Sequence, residues 1–406
     1  YVVKILFLEK LNVDIVFNGW GASTCLLINE MDKRNLLKKK KIAIIEPLEK
    51  KENNKTFCFW ANENESILED YRFLTNKSWS KIKINDWKSE EIEPLKYYHI
   101  ESSSLYQHTR KILKKYNFIQ INDFVKKVSP NEGSFLVETS NQIICSEWVF
   151  DSRPYNFKKI KKNDFFIYQS FLGFKITLSD KKFDEDTYHM MDFRVDQANE
   201  TQFIYILPYN ENSGLIELTR FGKTKIDSSY SKKILNEFIL KHYGNYNIDE
   251  VEKGVIPMSF ETPPNNVEKK WVNIGTRAGA VKPSNGYAFK NMYQQAQHIC
   301  ENNKLSKRVF KQKNRFKFYD QLLLIILNLW PQKGKFIFER LYKRQSSKYI
   351  LKFLDEKSSF FEEIKMFSTL QKRTFIKSLF VWMYHQIKRI LIPLLLVLYV
   401  LIKILF

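Results

Sequence analysis

The sequence has few cysteines, and those it has lie far apart. Its 406 residues include four, namely Cys25, Cys58, Cys145 and Cys300, with no Cys-x-x-Cys pair and no histidine placed to complete a zinc set. This spacing argues against a metal site, and none is expected. Reduced thiols of a cytoplasmic protein are the simplest interpretation.

Signals for export and for a membrane-spanning helix are also missing. The apolar run at residues 2–8 is short, and no small-residue cleavage site follows it, so export is not expected. The most apolar run, residues 390–402, falls short of the roughly twenty residues that span a bilayer. Lys388, Arg389 and Lys403 flank this run, which favours an interfacial or partly inserted anchor. A buried terminal helix remains the alternative.

Acidic residues are outnumbered, with 45 Asp and Glu against 66 Lys and Arg, which gives a net charge of +21. A field of that sign favours anionic partners such as nucleic acid, acidic lipid or a phosphorylated cofactor, and it does not choose among them. Hydrophobic residues make up 44% and include 33 Phe, 21 Tyr and 8 Trp. That content argues against disorder and supplies both a core and an apolar pocket.

The first forty-odd residues predict a βαβ unit. Residues 13–17 have the pattern of a buried strand, residues 22–31 that of a helix and residues 42–45 that of a second strand. Between the first strand and the helix lie Gly19, Trp20 and Gly21, the kind of turn that lets a dinucleotide pyrophosphate approach helix N-terminal amides. Trp20 is bulky for this motif, and Thr24 replaces its third glycine. Glu46, which follows the second strand, is placed to accept a hydrogen bond from a ribose hydroxyl, although an ordinary βα turn and a surface glutamate remain alternatives.

The middle and the end of the chain have different patterns. Short alternating strands are predicted at residues 168–177, 188–195, 202–207 and 215–221, and the turn-forming residues 208–214 predict a hairpin with a long loop. From residue 304 the pattern is helical. We predict a nucleotide-binding part at residues 1–164, an antiparallel-sheet domain at 165–260, a second nucleotide-binding segment at 261–303 and a helical part at 304–406.

Eight short segments carry a resemblance to a known family. They are KTFCFW (55–60), VFDSR (149–153), MDFR (191–194), ELT (217–219), GVIP (254–257), NIGT (273–276), KPSNGY (282–287) and FLDE (353–356). In this order they resemble the bacterial FAD-dependent lycopene cyclases, over about residues 13 to 380. Related flavoprotein hydroxylases and reductases lack the Glu-x-Thr and Met-Asp-Phe pair.

The resemblance implies a mixed α/β fold: a Rossmann-like FAD-binding domain, an inserted antiparallel β-sheet substrate domain and a helical, membrane-associating C-terminal part. It implies reduced FAD, kept reduced by NADPH or another donor. Flavin contacts would come from Arg153, Gly275, Pro283 and Gly286. For Arg153 the alternative is an ion pair with a neighbouring acid, and the segment around Arg277 is less glycine-rich than the family version. The expected location is the cytoplasmic side of the cell membrane, peripheral or C-terminally anchored, with no nucleic-acid partner.

In that family a carboxylic acid protonates a terminal double bond of lycopene, the cation closes a six-membered ring, and a proton leaves. Glu217 matches the acid, and the two-residue period of a strand puts Leu215, Glu217 and Thr219 on one face. A carboxyl in an apolar tunnel stays neutral because burial penalises the anion. Asp192 matches an aspartate that stabilises the cation or holds the acid's geometry. The alternatives are a solvent-exposed edge glutamate and a structural aspartate.

Some aromatic side chains are candidates for offering π faces to the cation and a sleeve to the polyene, and ordinary core packing is the alternative for each of them. The candidates are Phe171, Phe174, Phe193, Phe203, Tyr205 and Phe221.

The leading hypothesis is the conversion of lycopene to β-carotene by an intramolecular lyase. Rival hypotheses are a cyclase that makes ε rings or one ring, a flavin-dependent hydroxylase or prenyl reductase, and a basic membrane or nucleic-acid binding protein. A degenerate cyclase with weakened flavin binding is also open.

Overall fold

The computed structural model describes residues 9–48, 55–154, 165–259, 269–306 and 312–405. For residue 390 and residues 392–405 it describes the backbone alone. The predicted βαβ unit is present as β1 (Glu9–Asn18), α1 (Ala22–Lys33) and β2 (Lys41–Ile45). The two strands pair in parallel, because the helix between them returns the chain to the same end of the sheet.

The first sheet has the order β8, β2, β1, β11, β10, β9, with β17 paired to β11. Its further strands are β8 (Asn117–Ile121), β9 (Lys127–Asn131), β10 (Ser134–Glu138), β11 (Gln142–Asp151) and β17 (Trp271–Asn273). Strands β8, β2, β1, β11 and β17 run parallel to one another, whereas β10 and β9 extend the sheet from β11 in antiparallel pairs. Helices α1, α3 (Ser102–Leu113) and α5 (Phe289–Ile299) contribute side chains to one core on this sheet.

The second sheet has the order β16, β12, β15, β14, β13, β5, β6. Four of its strands fall where alternation predicts them: β12 (Phe166–Leu178), β13 (Thr187–Asp192), β14 (Thr201–Pro208) and β15 (Ser213–Gly222). The others are β5 (Lys81–Ile84), β6 (Glu90–Glu91) and β16 (Tyr246–Ser259). β5 adds a parallel pair to an otherwise antiparallel sheet. The predicted long hairpin loop is wrong, because Pro208 pairs with Gly214 and the Tyr209 amide donates to the Ser213 carbonyl.

A third sheet was not predicted. It consists of β3 (Thr56–Asn62), β7 (Leu95–Glu101) and β4 (Thr75–Trp79), all antiparallel, with the short helix α2 (Ser66–Tyr71) between β3 and β4. Its first strand lies beside the second sheet, since both the amide and the hydroxyl of Thr56 donate to Glu252 in β16. The third sheet therefore closes one side of the site described below.

Helices cover both faces of the second sheet. Helix α4 (Ser228–His242) packs on the face that carries Phe174 and Leu218. The other face meets side chains of α6 (Asn314–Leu329), α7 (Gly334–Arg344) and α8 (Ser347–Leu354), followed by α9 (Phe360–Ser368) and α10 (Lys372–Leu405). The buried Lys282 donates to Glu356 at 2.8 Å and so ties this helical part to the segment after β17.

The predicted fold class is confirmed: several sheets, a mixed α/β architecture and a helical C-terminal part. The domain boundaries stay a prediction. The predicted anchor at residues 390–402 lies in α10, but its side chains, apart from Leu391, fall outside the described part. Across the described residues, no helix combines the length and the apolarity needed to cross a membrane.

Candidate active site

The carboxyl ends of four parallel strands bring most of the predicted cofactor residues together. The Gly19 amide donates to the Ile45 carbonyl, the Ser152 amide to Asn18, and the Ile274 amide to Asp151, at 2.8 to 2.9 Å. Glu46, Gly19, Arg153 and Gly275 therefore follow neighbouring strands along one sheet edge. Ligands of parallel α/β sheets bind at this kind of edge.

Two glycines let the chain segments meet there. Gly19 has φ +101° and Gly275 φ +64°, a left-handed region that side chains disfavour. A Cβ on Gly19 would overlap the Ser152 hydroxyl, and one on Gly275 would crowd Ser23 in the first turn of α1. The strand end and the later segment can therefore pack directly on the turn.

The helix start at Gly21 offers an anion site. Among the described residues, the amides of Ala22, Ser23 and Thr24 meet no hydrogen-bond acceptor, as expected at a helix N-terminus. Thr24, which replaces the third glycine, turns its hydroxyl inward and donates to the Gly19 carbonyl at 2.8 Å. Threonine at this position therefore stabilises the turn, and the amides of the first helical turn remain available to a phosphate.

Trp20 is accommodated inside the protein. Its side chain is fully buried, with the Arg110 guanidinium 4.7 Å from the ring centre and Phe118 edge-on at 5.9 Å. Its amide donates to Glu46 Oε2 at 2.8 Å. Glu46 thus already holds the turn, and its predicted contact with a ribose stays a prediction.

Arg153 and Arg277 converge on one buried aspartate. Arg153 makes a forked contact with Asp151, through Nε at 2.9 Å and Nη2 at 2.7 Å. Arg277 Nε lies 3.5 Å from Asp151 Oδ2 and donates to Asn273 at 2.9 Å. The two arginines balance the negative charge of Asp151. A direct contact between Arg153 and a cofactor stays a prediction.

The segment that contains Pro283 and Gly286 forms a tight turn beside a large cavity. The Gly286 amide donates to the Lys282 carbonyl, and Gly286 has φ +74°. A Cβ there would overlap the side-chain amide of Gln169. Gln169 Oε1 and Asn285 Nδ2 both belong to cavity-lining residues and are buried without a hydrogen-bond partner in the described structure. A flat ring with polar edges would satisfy both atoms, so these residues fit the ring of a flavin.

The cavity has a volume of about 740 Å³, inside the range of small-molecule sites. It begins at Ala22 and Gly286, passes over the second sheet and reaches Ile376 in α10. Most of its wall is apolar or aromatic, and Glu217 and Glu252 are among its few acids. One continuous space therefore joins the cofactor edge, two carboxyl groups and the C-terminal helices.

Strand register explains why these side chains share one wall. Tyr205, Glu217, Gly173 and Glu252 are successive cross-strand partners on β14, β15, β12 and β16. Directly paired residues of an antiparallel sheet project to the same face. The prediction that Leu215, Glu217 and Thr219 share a face is confirmed, since all three line the cavity.

Glu217 is a buried acid, with 9% of its surface exposed. Burial first, and the nearby Glu252 second, raise the pKa of Glu217 to about 8. The Thr219 hydroxyl donates to Glu217 Oε1 at 2.6 Å. At neutral pH the carboxyl is therefore mostly protonated, which is the state a proton donor needs.

The expected aromatic wall is partly present. Four of the six candidates line the cavity, namely Phe171, Phe203, Tyr205 and Phe221. Phe174 packs on the opposite face, and Phe193 lies in the core but outside the cavity wall. Two lining tyrosines were not predicted: Tyr97 accepts a hydrogen bond from the Tyr205 hydroxyl at 2.9 Å, and Tyr287 lies close to Met190.

Asp192 lies away from this wall. It is fully buried, and both of its oxygens accept hydrogen bonds from Arg194, with Nη2 at 2.6 Å from Oδ2. Its neighbours Met190 and Met191 line the cavity, but Asp192 does not. A direct action of Asp192 on a bound cation stays a prediction, and the visible role of this residue is to fix the end of β13.

The sequence comparison decides the family. A family model described as lycopene cyclase protein matches residues 14–380. The chain belongs to the lycopene cyclase family. Chloroplastic neoxanthin synthases of Solanum tuberosum and Solanum lycopersicum are each 29% identical over 170 residues. This match covers 38% of the chain and 31% of either relative, so the chain spans about a third of the length of these relatives.

Solved structures share the fold of this lycopene cyclase family member. A geranylgeranyl bacteriochlorophyll reductase-like protein from Thermoplasma acidophilum has a TM-score of 0.56 at 13% identity, over 92% of this chain and all of that one. The flavin-dependent brominase Bmp2 gives 0.52 at 11% identity, over 88% and 94%. The p-nitrophenol 4-monooxygenase PnpA of Pseudomonas putida gives 0.52 at 11% identity, over 91% and 98%. At these identities the likeness concerns the fold alone.

Proposed function

We propose that this chain is a lycopene β-cyclase, an intramolecular lyase that closes the ends of lycopene to β-carotene. The observation that carries the proposal is Glu217, an acid held neutral in an apolar, aromatic-lined cavity. An apolar polyene has no polar group that needs a hydrogen-bond partner, so an apolar cavity with one protonated carboxyl group fits it. Membership of the lycopene cyclase family supports the same substrate class.

The first step belongs to Glu217. Because the Thr219 hydroxyl donates to Oε1, the acidic proton resides on Oε2, from which it passes to the terminal double bond. Phe171, Phe203 and Phe221 line the cavity and present π electrons to the resulting cation. The apolar wall keeps water away, so that the neighbouring double bond captures the cation before water does.

FAD is the cofactor of this proposal, with NADPH as the reductant. The amides of Ala22 to Thr24 would hold its pyrophosphate, and Gln169 and Asn285 would pair with its ring. Bound reduced flavin supplies an electron-rich ring that stabilises positive charge nearby. The chain's own residues position this ring, while the proton chemistry remains with the carboxyl groups.

The proposed site of action is the cytoplasmic surface of a membrane. Ile376, Phe380, Tyr384, Ile387 and Leu391 form an exposed apolar stripe along α10, with a spacing of three to four residues. Lysines and arginines accompany it, as in interfacial helices: Lys372, Arg373, Lys377, Lys388 and Arg389. Ile376 belongs both to this stripe and to the lining of the cavity, so in this proposal the cavity mouth lies at Ile376, beside the membrane.

Pigment analysis in a lycopene-accumulating bacterial host tests this function. Glu217→Gln keeps the shape of the side chain but cannot donate the proton, so lycopene should remain unchanged. Glu250→Gln is the matched control, because Glu250 is an exposed residue of the same sheet that pairs with Lys175. β-Carotene from the wild type and the control, with lycopene from Glu217→Gln, is the expected result.

The same extracts separate the rival functions. A hydroxylase adds oxygen and a reductase adds hydrogen, so either would change the mass of the pigment, whereas cyclisation conserves it. An ε-cyclase or a one-ring cyclase would give an isomer with a different chromatographic position. Lycopene from a folded, flavin-loaded wild type would contradict the cyclase assignment.

A further inference from the structure

A second carboxyl group lies on the same face of the sheet as Glu217, on the far side of Gly173. Glu252 on β16 and Glu217 on β15 are both paired with Gly173 on the strand between them. Their backbones are thus two strand spacings apart, roughly 10 Å. Gly173 has no side chain to fill the interval, and a Cβ there would lie only 3.1 Å from that of Glu217.

The neighbouring cross-strand pair also leaves the space above Gly173 open. Phe171, two residues before Gly173 on the same face of β12, pairs with Gly254 on β16. A Cβ on Gly254 would overlap the Phe171 ring, so the ring occupies the space above Gly254. Two glycines, each next to a functional side chain, therefore shape a slot with one carboxyl group on each side.

The two carboxyl groups have opposite surroundings. Glu217 accepts one hydrogen bond, from the Thr219 hydroxyl, in a cavity whose wall is mostly apolar or aromatic. Both oxygens of Glu252 accept hydrogen bonds: Oε1 from the Thr56 amide at 2.9 Å and Oε2 from the Thr56 hydroxyl at 2.6 Å. Hydrogen-bond donors on both oxygens fit a carboxyl group that accepts a proton, whereas the single donor on Glu217 fits one that gives a proton away.

We propose that Glu252 is the proton acceptor of the cyclisation, opposite the donor Glu217 across the slot at Gly173. This assignment rests on the proposed function. The Glu217 O–H bond breaks and a C–H bond forms at the terminal double bond. The electron pair of the second double bond closes the ring, and a C–H bond next to the new cation breaks. Its electron pair becomes the ring double bond, and its proton goes to Glu252.

The cycle is balanced without an oxidant or a reductant. After product leaves, Glu252 carries a proton and Glu217 has lost one, and transfer across the slot restores both groups. Because the acceptor stands at a fixed place, it also determines which C–H bond breaks. Glu252 therefore determines the position of the ring double bond as well as the rate.

Two substitutions test the acceptor. Glu252→Gln should lower ring formation at least 100-fold, the lower end of what general base catalysis contributes, or shift the product to a different ring isomer or a water-captured alcohol. Glu252→Asp keeps a carboxylate and should give the wild-type ring more slowly. Glu250→Gln, on the same strand, should match the wild type. Thermal unfolding and flavin content of each protein show that it is folded.

A measurement that does not depend on activity is the infrared carboxylic-acid band of Glu217, which is assigned by its loss in Glu217→Gln. This band should titrate at lower pH in Glu252→Gln, because a nearby negative charge is gone while the other titratable groups that face Glu217, namely Lys55, Cys58 and Tyr287, remain. An unchanged titration would overturn the pairing of the two carboxyl groups.

The pigments keep the two proposals apart. Lycopene from the wild type and Glu250→Gln would contradict the cyclase function itself. Wild-type product from Glu252→Gln at a rate less than 100-fold below that of the wild type would overturn the acceptor role alone. Equal inactivity of folded Glu252→Gln and Glu252→Asp would also overturn it, because a carboxylate would then not suffice. If Glu252→Gln does not fold, Thr56→Val replaces it, and an unchanged product and rate in that variant count against the proposal.

Discussion

The surroundings of Glu217 determine the protonation state of its carboxyl group. Apolar side chains remove water from it, and Glu252 adds a like charge, so the neutral form is favoured in the folded protein. In the unfolded chain the same group has its ordinary pKa of about 4.5. The folded protein therefore binds a proton between these two values that the unfolded chain has lost.

This difference predicts how stability depends on pH. The contribution of Glu217 is fully present below pH 4.5 and is lost as pH rises through about 8. Glu217→Gln has no such titration, so from pH 5 to pH 9 its stability relative to the wild type should rise, by at most about 5 kcal/mol. Urea unfolding of both proteins at the two pH values measures the change. A stability difference that stays constant with pH would mean that Glu217 is ionised in the folded state.

Sequence patterns found one carboxyl group of the pair and missed the other. Glu217 belongs to a Glu-x-Thr segment on an alternating strand, which is visible in the chain itself. Glu252 acts through its register with Gly173 and through Thr56 on another sheet, and both are long-range pairings that no local pattern records. The glycines at 173 and 254 were the available signal, since glycine inside a strand often marks a close approach.

At the scale of elements, the local units were predictable and their assembly was not. β1, α1 and β2 follow from periodicity and the glycine turn, and four strands of the second sheet follow from alternation. β5 joins β13 although about a hundred residues separate them, and the sheet of β3, β7 and β4 has no signature of its own. Such pairings depend on tertiary packing rather than on intrinsic preference.

The turn at Gly286 packs against a residue of the cavity wall. A second glycine with the same backbone conformation, Gly133, allows the cost of this packing to be measured separately from backbone strain. Gly133 has φ +76° with open space around it, whereas Gly286 has φ +74° and would overlap Gln169. Gly133→Ala should cost about 1–2 kcal/mol of unfolding free energy for the backbone alone. Gly286→Ala should cost about 1–3 kcal/mol more through crowding and should also retain less flavin. Urea unfolding and flavin absorbance measure both, and equal losses in the two variants would refute the packing argument.

The whole molecule combines a net charge of +21 with an exposed apolar stripe on α10. The charge attracts any anionic surface, but salt screens it beyond about 10 Å. The stripe acts only on contact and is insensitive to salt. A membrane with acidic lipids satisfies both features, whereas nucleic acid satisfies the charge alone.

Vesicle sedimentation at low and high salt tests this combination. Wild-type binding to acidic vesicles should weaken with salt but persist, because Phe380 and Ile387, 64% and 51% exposed, enter the interface. Replacing both by serine should weaken binding at least tenfold at either salt concentration, since burying a large apolar side chain contributes about 1.5–3 kcal/mol. Leu240→Ser is the control, because Leu240 is a similarly exposed residue of α4 on the other face of the second sheet. If the double variant bound as well as the control, the charge alone would account for adsorption, and the cavity mouth at Ile376 would not face the lipid.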